Sequence, residues 1–143
     1  MSARHIKDAA EFKALLKDTR FVVTDFYADW CGPCKAIAPF YEKLAAEHSL
    51  AGQLAFAKVN VDNVPEVAQE YSVTAMPTFM FFANGSPAAV EVTPEIKSGA
   101  VVQGPNGIDL IRGADPRALT AVSAKLGELA KAHAARAAAA AAA

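Results

Sequence analysis

The chain reads as an α/β protein whose central sheet is mainly parallel and carries helices on both faces. Three observations predict this. The runs Phe21–Ala28, Leu54–Val61 and Thr78–Ala83 are apolar, β-branched and aromatic, as strands covered on both faces must be. The stretches between them place apolar residues at helical spacing. Strands that alternate with helices along one chain build a parallel sheet. With 143 residues, 53% hydrophobic and 20% charged, the chain has the size and composition of one cored domain.

The elements follow in order. Asp8 stands three residues before Glu11, a capping-box-like start, and Phe12, Leu15 and Leu16 then form an apolar helical stripe. The first strand, Phe21–Ala28, runs into Asp29-Trp30-Cys31-Gly32-Pro33 and a helix from about Cys31 to His48. Pro33 suits a first helical turn, whereas Pro39 inside the helix should kink it. After the strand at Leu54–Val61 a short helix opens at Asn63 or Val64 and runs through Pro65 to about Tyr71. The strand Thr78–Ala83 ends at Asn84-Gly85, a turn signal that adds an antiparallel piece. Ile108–Arg112 reads as a further strand, and Asp115-Pro116 starts a last helix with Leu119, Val122, Leu126 and Leu129 on one face.

Charge and composition narrow the function. The formal net charge is −1, and no cluster of lysine and arginine offers a nucleic-acid footprint. No apolar run reaches the roughly 18 residues that span a bilayer. The first residues lack the apolar stretch of a secretory signal, which points to a cytoplasmic protein, where most thiols are kept reduced. The chain has two cysteines, Cys31 and Cys34. A bridge between them closes too short a loop to stabilise the fold much, so the pair is read as reactive rather than structural. Zinc shares this spacing but needs four ligands, and His5, His48 and His133 are scattered, so no metal is expected.

The turn has the chemistry for thiol exchange. A thiolate is the attacking species, and Cys31 falls where a helix N-terminus, with its unpaired N–H groups and dipole, favours negative charge. Cys34, one turn on, is placed to resolve a mixed disulfide. Asp25 sits in an apolar strand, where a carboxylate must be paired or hold its proton. Its two readings are a salt bridge with Lys58 and a general base of raised pKa that accepts the proton of Cys34.

The run Trp30-Cys31-Gly32-Pro33-Cys34-Lys35 resembles the active-site run of thioredoxins. Asp25, Lys58, Met76-Pro77-Thr78, Asn84-Gly85 and Gly113-Ala114-Asp115-Pro116 are similar to further landmarks of that family. The resemblance covers about residues 5–85 and 108–130. It implies a thioredoxin fold with a mixed four- to five-stranded sheet and a redox-active disulfide between Cys31 and Cys34. Asp25 and Lys58 would assist proton transfer. Trp30, Gly32, Pro33, Met76, a cis Pro77 and Gly113 would line the client-binding surface. It also implies a protein disulfide reductase and electron carrier that binds no cofactor, works as a monomer on disulfide-containing client proteins, and is recharged by an NADPH-dependent thioredoxin reductase. Gly-Pro between the cysteines resembles the reducing members, whose potential is about −270 mV. A thioredoxin-like adaptor with a redox-sensitive contact is the alternative.

Two stretches depart from the family. About 20 extra residues, 86–107, precede the last strand, with possible short strands at Ala88–Val92 and Ala100–Gln103, and they are expected at the pole of the sheet opposite the cysteines, as a surface loop or elongated hairpin. The single domain is expected to end near residue 131. The alanine-rich segment 132–143 is then a frayed or solvated tail, although alanine is the best helix former.

Overall fold

The computed structural model describes residues 2–143. Seven strands form one sheet: β1 (Arg4–His5), β2 (Phe21–Tyr27), β3 (Leu54–Asn60), β4 (Thr78–Ala83), β5 (Ser86–Pro87), β6 (Val101–Gly104) and β7 (Gly107–Arg112). Their order is β1-β3-β2-β4-β7-β6, with β5 paired to β4. β1, β3 and β2 are mutually parallel, and β4 turns the sheet antiparallel, as do its partners β5 and β7. The count exceeds the expected four to five because β1 and β5 are only two residues long and β6, like β5, lies in the inserted segment.

Helices cover both faces. α1 (Ala9–Asp18) and α3 (Pro65–Glu70) bury Phe12, Leu15, Leu16 and Val67 against Val22, Phe26, Val59 and Phe82. α2 (Gly32–His48) and α4 (Pro116–Ala142) bury Ile37, Leu44, Leu119, Val122 and Leu126 against Val23, Phe56, Phe79 and Ile111. Strand residues alternate between the two cores, the period of two that a sheet imposes. Tyr41 on α2 is fully buried, its hydroxyl 2.7 Å from the Ala57 carbonyl oxygen and 3.0 Å from that of Val23. Asp8 caps α1 by accepting from the Glu11 N–H at 2.8 Å, while the Glu11 carboxylate reaches back to the Lys7 N–H. α2 continues unbroken through Pro39, although the missing N–H leaves the Lys35 carbonyl without its helical donor.

The alanine-rich C-terminus, expected as a frayed or solvated tail, continues α4 as helix to Ala142, and residues 135–143 are exposed to solvent. Alanine propensity carries the helix beyond its last core contact, and His133 Nδ1, 2.8 Å from Gln53 Oε1, ties it down beyond residue 131.

Contrary to expectation, the inserted residues do not stay at the far pole. Val90 bridges Ile108 there, but the chain then crosses the sheet and returns as β6, with Val101 opposite Ile111. The Arg112 N–H donates to the Ala100 carbonyl at 2.7 Å, and Arg112 itself faces Thr78. Ser98 to Ala100 therefore lie at the pole where Pro77 begins β4. The segment is anchored by Val90 and Ile96, both buried in the α2–α4 core. Burying these two side chains stabilises the excursion by a few kcal/mol.

Candidate active site

β2 delivers the chain to the head of α2, and there Cys31 is the N-cap residue and Gly32 and Pro33 fill the first two helical positions. Cys31 and Cys34 are joined as a disulfide with their Cα atoms 5.3 Å apart. The Cys34 N–H donates to Cys31 Sγ at 3.1 Å. A sulfur at an N-cap, facing an unpaired backbone donor and the positive end of the helix dipole, is held in the environment that favours its thiolate. Both cysteines are 4% exposed. Tyr27, Ala28, Val61 and Met76 pack around them, so one edge of the disulfide opens to an apolar surface.

The Met76–Pro77 peptide bond is cis, and the Met76 carbonyl oxygen lies 3.6 Å from Cys31 Sγ. Trp30 is 68% exposed, and its indole N–H donates to Asp62 Oδ2 at 3.1 Å, which fixes the ring beside the dithiol. Asn60 supports the same loop by donating to Asp29 and accepting from the Asp62 N–H. Asp62 and Asn60 carry no mark in the sequence, because nothing there tells that the indole of residue 30 meets a carboxylate 32 positions later. Gly113 has φ of 142° and follows Arg112, which pairs with Thr78, so it sits beside Pro77 at the same pole. Gly32 has open space around it, with no atom that an added Cβ would meet.

Asp25 pairs in register with Lys58 across β2 and β3, on the face that α2 covers. The two form no ion pair within 4 Å. The Lys58 ammonium instead lies 4.7 Å from the centre of the Tyr27 ring, a cation–π contact. Asp25 is 1% exposed and its Oδ1 has no hydrogen-bond partner. Burial is the main reason that its pKa rises from 3.8 to about 7; the Lys58 charge partly offsets this and Glu42 adds to it. The carboxyl is thereby poised to take and release a proton near neutral pH. Of the sequence-predicted residues, Asp25, Lys58, Trp30, Cys31, Cys34, Met76, Pro77 and Gly113 all converge on one end of the sheet. Among the described residues no cluster of histidine, cysteine and carboxylate has the makings of a metal site.

The sequence matches the thioredoxin family model over residues 3–103. A thioredoxin of Neurospora crassa is 52% identical over 134 residues, 94% of each chain. A thioredoxin-like protein of Fusarium culmorum is 52% identical over 89% of this chain and 93% of its own. Among solved structures, Plasmodium falciparum thioredoxin superposes with a TM-score of 0.68 at 33% identity, covering 86% of this chain and 98% of that one. Malassezia sympodialis thioredoxin gives 0.66 at 34% identity, with 88% and 91% covered. The chain belongs to the thioredoxin family and is a thiol–disulfide oxidoreductase.

Proposed function

We propose that this protein reduces disulfides of client proteins, with Cys31 as the attacking and Cys34 as the resolving cysteine. The observation that carries the assignment is the position of Cys31 as the cap of α2, its Sγ facing both a helix N–H and the Met76 carbonyl. In the dithiol form the Cys31 thiolate attacks one client sulfur, and the other client sulfur leaves as a thiolate. Cys34, giving its proton toward Asp25 directly or through a water, then attacks Cys31 Sγ and releases the second client thiol. The client gains two electrons and two protons, one given up by Cys34 and one taken from solvent; the protein is left with its Cys31–Cys34 disulfide.

Lys58 moderates the pKa of Asp25, and Trp30, Gly32, Pro33, Met76, Pro77 and Gly113 form the surface that receives the client. By family resemblance an NADPH-dependent thioredoxin reductase returns the electrons, no cofactor is held by this chain, and the protein acts as a monomeric electron carrier in the cytoplasm. The test is reduction of insulin with dithiothreitol as electron source, with Cys31→Ser as the comparison. Wild type accelerates precipitation of the insulin chains and the variant does not; equal rates for the two proteins would refute the proposal.

A further inference from the structure

We propose that the inserted segment extends the client-docking surface and selects clients with a flank of apolar and acidic residues beside the reacting cysteine. This rests on the reading of Cys31 as the attacking thiol. The backbones at the dithiol pole follow one another in space. Met76 touches Cys31, Gly113 lies next to Pro77 through the Thr78–Arg112 pairing, and Ala100 lies against Gly113. A Cβ built on Gly113 would lie 3.3 Å from the Ala100 Cβ, so the two strands meet there without a gap. Ser98 donates to Asp115 Oδ2 at 2.6 Å and thereby pins the segment to the N-cap of α4.

A groove of about 510 Å³ opens from this point, lined by Val92, Pro94, Lys97, Ser98, Val101 and Gln103. Every one of these residues belongs to the insertion. The walls are apolar or neutral except for Lys97, which is exposed and forms no ion pair among the described residues. Adjacent strands are about 4.8 Å apart, so the groove begins about 10 Å from the Met76 backbone. An extended chain covers that distance in three or four residues, at about 3.3 Å each. A client whose cysteine meets Cys31 thus places residues three to five positions away in the groove. Apolar side chains there meet Val92 and Val101, and a carboxylate meets Lys97.

The test compares two disulfide-bridged peptides that differ only in this flank, valine and glutamate in one and valine and lysine in the other. Single-turnover oxidation of the reduced full-length protein is followed through Trp30 fluorescence, beside a small flankless disulfide, hydroxyethyl disulfide. Wild type should react about fivefold faster with the glutamate peptide, the size expected of one partly exposed charge pair. Lys97→Glu should reverse that order and leave the rate with hydroxyethyl disulfide unchanged. Equal rates for the two peptides in wild type, or a preference that survives Lys97→Glu, would overturn the proposal. Failure of reduced wild type to react with any of the three disulfides would instead refute the assignment of Cys31, and the groove's role with it.

Discussion

Replacing Asp25 with asparagine should make the stability of the protein depend less on pH, in a direction that its burial dictates. In the unfolded chain the carboxyl ionises around 3.8, whereas in the folded oxidised protein it holds its proton up to about 7. Between those values the native state binds one proton more than the unfolded state. Stability must then fall as pH rises, by about 1.4 kcal/mol for each pH unit. Across the interval the loss is on the order of 4 kcal/mol, absent below pH 3.8 and complete above about 7. Asparagine cannot ionise and does not carry this loss. Guanidinium unfolding of oxidised wild type and Asp25→Asn, measured from pH 3.5 to 8.5, should show the variant gaining on wild type by about that amount. A buried amide adds a fixed offset, so the change of the difference with pH is the quantity read. A difference that stays flat between pH 4 and 8 would refute a buried carboxyl of raised pKa at residue 25.

Other variants test neighbouring parts of the site. Asp25→Asn should also slow insulin reduction by roughly 10- to 100-fold at pH 7, the lower range of general acid–base contributions, and a wild-type rate would remove Asp25 from proton transfer. Cys34→Ser should accumulate mixed disulfides through Cys31, visible on non-reducing gels and released by dithiothreitol. Lys58→Met removes the one charge that lowers the Asp25 pKa, so the pH midpoint for reaction with insulin should move upward; a downward move would contradict the electrostatics. Asp115→Ala deletes both the cap of α4 and the acceptor for Ser98. It should cost about 1–2 kcal/mol in denaturant unfolding.

Much of this architecture was legible in the residues. β2, β3 and β4 are covered on both faces, so each shows as an uninterrupted apolar run whose ends the structure moves by one residue at most. β1 left no such trace. Arg4 and His5 are both exposed and join the sheet solely through parallel pairing with β3. The pairing of Asp25 with Lys58 came from the family resemblance rather than from the strand pattern, and the choice of Lys58 to rest on Tyr27 rather than pair with the carboxylate is a side-chain matter that spacing does not encode. The insertion was misplaced for a topological reason. The turn after β4 does lie at the far pole, but the stretch from Ala88 to Ala100 is long enough to traverse the sheet before β6 begins. The strand itself was legible, since the possible short strand at Ala100–Gln103 lies within one residue of β6; its position along the sheet was not.

The insertion has one more effect, on what the sheet exposes at its margins. Without β6, the six residues of β7 would form an open edge with a row of unpaired backbone donors and acceptors, a template for sticking to other chains. β6 takes up that edge with only four residues, broken by a bulge between Val102 and Gln103 and followed at once by Pro105. The opposite margin ends in the two residues of β1. Each rim is thus too short or too irregular to recruit a foreign strand. Unwanted self-association through strand pairing is discouraged at both sides.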